Sequence, residues 1–184
     1  MARKTSFKSP PRDTRLELKK MDPEAKSLFD RFPKNSFMFI DQYILIGVHL
    51  SSSDKKNKPQ VVDLLRAIKR LKQSSPHSHI ICGGDVNSFI GCDHEEWDEQ
   101  FQMYPKERAS LTTSKKRTRT QAQWKKADKH DIESKDKIMT DLTILEQGSS
   151  ITLIDSTPFE ESLLLPRDDH PFDHAVVTVK LQRP

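Results

Sequence analysis

Residues 43–50 read YILIGVHL, an almost continuous apolar run that ends in His49 and Leu50. A run of this kind is typical of a central strand that is covered on both faces. Before it, residues 36–40 (SFMFI) predict a second strand, joined to the first by Asp41-Gln42 as a hairpin. After it, residues 60–72 show helical spacing of apolar side chains, and residues 79–84 (HIICGG) form another short apolar run. The order strand, strand, helix, strand predicts a layered α/β domain.

The amino-terminal residues have a different composition. Residues 1–24 are rich in Lys, Arg and Pro and lack a periodic apolar pattern, which predicts an extended arm. Asp22 and Pro23 form a helix-start signal, an N-cap followed by proline at the first helical position. The predicted organisation is therefore a basic arm with a short helix over residues 1–33, followed by one α/β domain over residues 34–184.

Composition limits the class of protein. The 184 residues allow one domain with a real core, and the net charge of +4 permits a phosphate-rich partner without requiring one. Cys82 and Cys92 form no ligand pattern, which favours a reducing compartment. No secretory signal or membrane-length apolar run is present. The sequence therefore predicts an intracellular protein that is soluble or bound to an assembly, not secreted and without a membrane partner.

The later part of the chain is less regular. Residues 93–104 are expected to form a short helix, and residues 136–145, 150–154 and 174–181 are expected to form strands. The segment 115–130 is strongly basic and contains Trp124. It could bind a nucleic-acid backbone, form a solvated basic face or dock an acidic protein, and these interpretations stay open.

Three segments place polar residues at the ends of apolar strands, where α/β folds carry their sites. They are VHLSS at residues 48–52, GGDVNS at residues 83–88 and HPFDHAVV at residues 170–177. Taken singly, each segment is better explained as a structural turn, a strand histidine or a strand corner. Their joint order at three strand ends favours a shared fold, which does not by itself establish activity.

Together these segments resemble the endonuclease/exonuclease/phosphatase superfamily, which includes deoxyribonuclease I, exonuclease III, sphingomyelinases, inositol-polyphosphate phosphatases and deadenylases. The family signatures are a strand ending in a histidine followed by leucine, a Gly-Asp-x-Asn turn, a strand with an Asp-x-Ile pattern and a late Ser-Asp-His before the final strand. The resemblance extends from about Phe37 to Leu181. It implies the C-terminal half of a four-layer α/β sandwich of the deoxyribonuclease I-like type, preceded here by an extended N-terminal arm.

The resemblance also implies metal-dependent phosphoester hydrolysis, with Mg²⁺ as the cofactor if the protein is active. It assigns Asp173 to the metal and Asp85 to both the metal and the attacking water. Asn87 would hold the phosphate, and His49 would stabilise charge in the transition state. These assignments are chemically consistent, because carboxylate oxygens are hard ligands and His or Asn side chains donate hydrogen bonds to phosphoryl oxygens.

In the same resemblance, His174 is the general base and a late-strand aspartate orients it. Asp136 matches that aspartate, and Asp141 is a rival that spacing does not exclude. A histidine next to a carboxylate is suited to taking a proton from water near neutral pH.

The chain departs from the family in two ways. Only 36 residues precede Phe37, so the half that supplies a metal-binding glutamate is not recognised, and Phe172 replaces a small polar residue before Asp-His. The first hypothesis is therefore a subunit of a larger assembly, either inactive or active only with a protein partner that carries the N-terminal half. The alternative is a metal-dependent phosphodiesterase or phosphatase that uses Asp85, Asn87, Asp173 and His174. A nucleic-acid-binding module ranks third.

Overall fold

The structure is a computed structural model that describes residues 22–32, 34–88, 90–106, 112–116, 130–133, 135–153, 156, 158–159 and 174–184. Within these ranges the chain forms two helices and nine strands. In chain order they are α1 (Pro23–Phe29), β1 (Lys34–Ile40), β2 (Tyr43–His49), α2 (Asp54–Ser74), β3 (His79–Asp85), β4 (Gln102–Tyr104), β5 (Thr113–Lys116), β6 (His130–Glu133), β7 (Asp136–Thr140), β8 (Ile144–Thr152) and β9 (Val176–Leu181).

The central feature is a five-stranded mixed sheet with the order β1-β2-β3-β7-β4. Strands β2 and β3 are parallel and are joined through α2, whereas the other neighbours in this sheet are antiparallel. Two further antiparallel pairs, β5–β6 and β8–β9, form separate two-stranded sheets. The predicted mixed α/β class is confirmed.

Helix α1 begins as its sequence predicts. The Asp22 side chain accepts the Glu24 N–H at 3.0 Å and the Ala25 N–H at 2.9 Å, and Pro23 occupies the first turn. These bonds satisfy two of the backbone donors that a helix start leaves without a partner. The apolar face of α1 then packs against α2, with Ala25 and Phe29 almost fully buried.

The hydrophobic core lies between the helices and one face of the five-stranded sheet. Every second residue of β2 points into it, because successive side chains of a strand face opposite sides. The buried cluster draws on both helices and on strands β2, β3, β4 and β7. Its central members are Phe29, Ile44, Ile46, Val48, Leu64, Leu65, Ile68, Leu71, Ile80, Cys82, Met103 and Met139.

Helix α2 begins earlier than its sequence predicts. The expected start was Gln60, after the polar stretch and Pro59, but the helix begins at Asp54 and includes Pro59. Its first turn is held because the N–H groups of Lys56 and Asn57 donate to the Ser53 carbonyl at 2.9 and 2.8 Å. Within the part of the chain that the structure covers, no helix is both long and apolar enough to cross a membrane.

The helix predicted over residues 93–104 is wrong. The segment forms successive turns instead, in which Trp97 N–H donates to the His94 carbonyl and Phe101 N–H to the Asp98 carbonyl. It ends in β4, where Met103 is fully buried against β7. Pairing with an open sheet edge satisfies the backbone groups of this stretch and overrides its weak helical pattern.

The strands predicted in the last third of the chain are confirmed, with shifted bounds. The expected strand 136–145 ends at Thr140, and β8 then runs from Ile144 to Thr152 before β9 starts at Val176. Pairing between β8 and β9 is interrupted by a register shift between Leu145 and Ser150.

Candidate active site

Three strand ends of the central sheet place His49, Asp85 and Asp136 in one row. Asp85 pairs in register with His49 on the parallel strand β2 and with Asp136 on the antiparallel strand β7. Because β7 runs in the opposite direction to β2 and β3, its first residue lies at the same end of the sheet as their last residues. The row therefore lies at one edge of the sheet, where the sequence predicted a site.

A tight turn fixes the Asp85 carboxylate. Asn87, with a positive φ of 51°, donates its backbone N–H to Asp85 Oδ1 at 2.8 Å. Its side-chain amide donates to Asp85 Oδ2 and to the Leu50 carbonyl, both at 2.9 Å. An amide nitrogen carries two protons, so both side-chain donors of Asn87 are used, one on Asp85 and one on the Leu50 carbonyl after β2. In this arrangement Asn87 orients Asp85, whereas its predicted role is to hold a phosphate.

His174 lies between the two carboxylates. Its Nδ1 is 2.9 Å from Asp136 Oδ2, and its Nε2 is 3.7 Å from Asp85 Oδ2. The first distance is a hydrogen bond, whereas the second is too long for a direct one. When an ionised Asp136 accepts the Nδ1 proton, the ring's lone pair lies on Nε2, the nitrogen that faces Asp85. This is the geometry in which a histidine acts as a general base.

The electrostatics of Asp85 reflect its position at the edge of the core. Burial raises the pKa of its carboxyl group. The Asn87 N–H and the neighbouring His174 ring oppose that shift and lower the pKa, while the charge of Asp136 raises it further. A half-buried carboxylate beside a second carboxylate favours a cation in the same place. The cation would offset both the cost of burying the Asp85 charge and the repulsion from Asp136.

The cluster fits a divalent cation in part. Ligand atoms of Asp85, Asp136 and His174 all lie within 4.8 Å of one another. Both Asp85 oxygens accept hydrogen bonds from Asn87, and Asp136 Oδ2 contacts the imidazole, but a carboxylate oxygen has a further lone pair with which it can bind a hard cation. The cluster thus combines a hydrogen-bonded Asp136–His174 pair with a second carboxylate, Asp85, within ligand distance of it.

His49 lies beside this cluster. It is exposed at the end of β2 and lines a groove of about 480 Å³ together with Arg31, Ser51, Lys56 and neighbouring residues. Asp85 does not line this groove, and His49 connects the two as the register partner of Asp85 on the adjacent strand.

Two residues that hold the site in place were not found from the sequence. Asn57 is 3% exposed, and its side chain donates to the carbonyls of Ser51 and Val86 at 2.9 and 2.8 Å, which ties together the loops after β2 and β3. Thr112 is fully buried, and its hydroxyl oxygen accepts the backbone N–H groups of Lys135 and Asp136 at the start of β7. Both residues lie in polar, irregular stretches of sequence, where no pattern distinguishes them from surface residues.

Several predicted features lie outside the described residues. Asp173, assigned to the metal, and Phe172 are among them, as is most of the basic segment, residues 117–129. Their predicted roles stay predictions.

Asp141, the rival of Asp136, lies at the other end of β7 and has a structural role. Its side chain is 5% exposed and accepts from Lys72 Nζ at 2.7 Å and from the Ile80 N–H at 2.6 Å. His79 Nδ1 is 3.3 Å away. Through these contacts Asp141, in the loop after β7, joins the end of α2 to the start of β3. The structure thus pairs Asp136, not Asp141, with His174.

We expect Asp141→Asn to lower the free energy of unfolding by about 2 kcal/mol, because the buried carboxylate loses its charge and the partly buried Lys72 ammonium keeps only carbonyl acceptors. Urea unfolding, monitored by circular dichroism, measures this loss of stability. The matched control is Asp63→Asn, which removes the exposed pair with Arg31 and should cost less than about 1 kcal/mol. Equal losses in the two variants would contradict the structural role of Asp141.

Comparisons with known proteins add little about activity. No known protein-family model matches the chain. The chain is similar to a UPF0342 protein of Bacillus cytotoxicus, with 30% identity over 84 residues that cover 44% of this chain and 70% of that protein. It is also similar to the crystal structure of TDP2 from C. elegans, with a TM-score of 0.46 and 13% identity, over 78% of this chain and 45% of that one. The chain thus spans less than half the length of that solved structure.

Proposed function

The chain belongs to the UPF0342 family, a name that states no activity, and we propose its function from the geometry of the cluster. In this proposal, Asp85, Asp136 and His174 form the acid–base part of a metal-dependent phosphodiesterase or phosphatase site. The observation that carries it is the 2.9 Å contact between His174 and Asp136, with Nε2 of the same ring turned toward Asp85. Asp85 and Asp136 come from the adjacent strands β3 and β7, and His174 comes from the residues just before β9.

The residues of the chain divide the chemistry between them. Asp136 holds the imidazole through Nδ1, so that Nε2 accepts the proton of a water molecule as it attacks phosphorus. A water molecule placed to one side of the 3.7 Å line between Nε2 and Asp85 Oδ2 would hydrogen-bond to both. His49, at the end of the neighbouring strand, lies where it could donate to a phosphoryl oxygen.

Mg²⁺ would be held by Asp85 together with Asp173, and it would neutralise the charge that develops on the phosphoryl oxygens. Water and phosphoryl oxygens would supply the remaining ligands of about six, as is usual for Mg²⁺. We propose, from the family resemblance alone, that a further carboxylate comes from a protein segment outside these 184 residues. The five-stranded sheet would then be one half of a sandwich of the deoxyribonuclease I-like type.

The surface of the sheet supports this completion. On the face opposite the helices, Met38 is 41% exposed, and Leu45, Ile81 and Ile138 are partly exposed. In a four-layer sandwich this face packs against a second sheet. An intracellular location and a place in a larger assembly remain predictions. A non-catalytic role for the same fold is the competing outcome of the test below.

The test is metal-dependent hydrolysis of bis(p-nitrophenyl) phosphate by protein recovered from its native source through a tag on this chain. We expect turnover that requires Mg²⁺ or Mn²⁺ and falls by about 10²-fold or more in Asp85→Asn, because the substitution removes a metal oxygen and part of the water site. The affinity for Mn²⁺, measured through the effect of the ion on water proton relaxation, should weaken in the same variant.

The matched control is Asp98→Asn, which changes an exposed carboxylate in the turn before β4. It should leave both turnover and Mn²⁺ binding unchanged. If the recovered wild-type protein shows no metal-dependent hydrolysis beyond that of Asp85→Asn, the catalytic proposal fails and the non-catalytic role is favoured.

A further inference from the structure

We propose that Thr112 is the positioning residue that holds Asp136 and His174 in register with each other. This inference rests on the proposed function, since it concerns the same pair of side chains. The pair is assembled across two sheets: Asp136 begins β7 of the central sheet, whereas His174 precedes β9 of the β8–β9 pair. The 2.9 Å contact between His174 and Asp136 therefore depends on contacts that hold the two sheets in place relative to each other.

The hydroxyl group of Thr112 holds the Asp136 side of the pair. Its Oγ1 accepts the backbone N–H of Lys135 at 2.9 Å and that of Asp136 at 3.0 Å. Thr112 is fully buried, so water does not replace these bonds. The Thr112 hydroxyl therefore helps to set the start of β7 and the direction of the Asp136 side chain, together with the Val86 N–H, which donates to the Lys135 carbonyl at 2.8 Å, and the pairing of Asp136 with Asp85.

The backbone of the same residue holds the His174 side. The Thr112 carbonyl accepts the N–H of Ala175 at 2.8 Å, one residue after His174. Thr112 thus bonds to the backbone on both sides of the 2.9 Å contact between imidazole and carboxylate. A shift of about 1 Å in either partner would break that contact, and misplacement on this scale costs catalysis about 100-fold.

A merely structural role would give a different result, and Thr140 provides the comparison. Thr140 is also fully buried, lies on β7 and accepts a backbone N–H through Oγ1, that of Leu142 at 3.2 Å. It lies at the far end of the strand from Asp136. Thr140→Val should therefore destabilise the fold in a similar way without moving the pair.

The experiment compares Thr112→Val, Thr112→Ser and Thr140→Val in the full chain by long-range ¹H–¹⁵N NMR of the histidine rings. His174→Asn identifies the His174 signals among the seven histidines. In the wild type we expect the tautomer protonated at Nδ1, because Asp136 accepts that proton. Thr112→Val should lose this preference and lower metal-dependent turnover about 10- to 100-fold, whereas Thr112→Ser should keep both within about 3-fold.

The outcomes separate the two proposals. If Thr112→Val keeps the wild-type tautomer, or if Thr140→Val loses it to the same extent, the positioning role is overturned. If Thr112→Val does not fold, the serine variant decides, since loss of the tautomer in folded Thr112→Ser also overturns it. If the tautomer depends on Thr112 as expected while the wild type hydrolyses no phosphoester, the positioning role stands and the phosphoesterase proposal fails.

Discussion

Replacing His174 with asparagine is expected to lower metal-dependent phosphoester hydrolysis by about 10²- to 10⁴-fold. Asparagine can still donate a hydrogen bond toward Asp136, but it has no basic nitrogen to take the proton of water. The His174 ring is half-buried, at 31% exposure of the side chain, so the free energy of unfolding should change by less than about 1 kcal/mol. Steady-state hydrolysis at saturating Mg²⁺, together with urea unfolding, measures both effects.

His79→Asn is the matched control. His79 also has its Nδ1 near a carboxylate, 3.3 Å from Asp141, but it lies at the start of β3, at the far end of the sheet from Asp85. Its replacement should leave turnover unchanged. A loss of turnover that is as large in His79→Asn as in His174→Asn would show that the effect arises from the fold and not from proton transfer.

Gly84→Ala is expected to destabilise the protein by about 3 kcal/mol or more. Gly84 has a φ of 144°, a conformation that residues with a Cβ rarely adopt, and an added Cβ would lie 1.9 Å from the Val48 carbonyl oxygen. That oxygen belongs to the backbone of the adjacent strand, so it cannot turn aside as a side chain could. The clash would push β2 away from β3 and separate His49 from Asp85.

The neighbouring glycine provides the control for this prediction. A Cβ at Gly83 would lie 3.3 Å from Ile138 Cγ1 and 3.5 Å from the Lys137 carbonyl oxygen, contacts that a small side-chain movement relieves. Gly83→Ala should therefore cost less than about 1 kcal/mol. Urea or thermal unfolding of the two variants tests the difference, and similar losses would contradict the close approach of β2 and β3 at Gly84.

Part of the site could be predicted from the sequence because its residues follow recognisable strands. Asp85 comes directly after an apolar run, and His49 ends another. Placing them at neighbouring strand ends needed only the rule that parallel strands share one edge. The choice between Asp136 and Asp141 could not be made this way, since both lie at ends of the same short strand. It depends on which end meets His174.

The start of α2 shows a second limit. Pro59 and its polar neighbours argue locally against a helix, and yet the helix includes them. The reason is a contact across the fold: the Asn57 side chain donates to the Val86 carbonyl, 29 residues away in sequence. A bond that satisfies a buried carbonyl outweighs a weak local preference.

By itself, the sequence determined the α/β class, the hairpin, the crossover helix and the strand ends that carry His49 and Asp85. These features follow from local periodicity and capping, which act between residues close along the chain. Only the tertiary structure decided that His174 pairs with Asp136, that Asp141 belongs to a structural ion pair and that Thr112 joins the two sheets. Each of these depends on hydrogen bonds between residues about 20 to 60 positions apart, which no local pattern records.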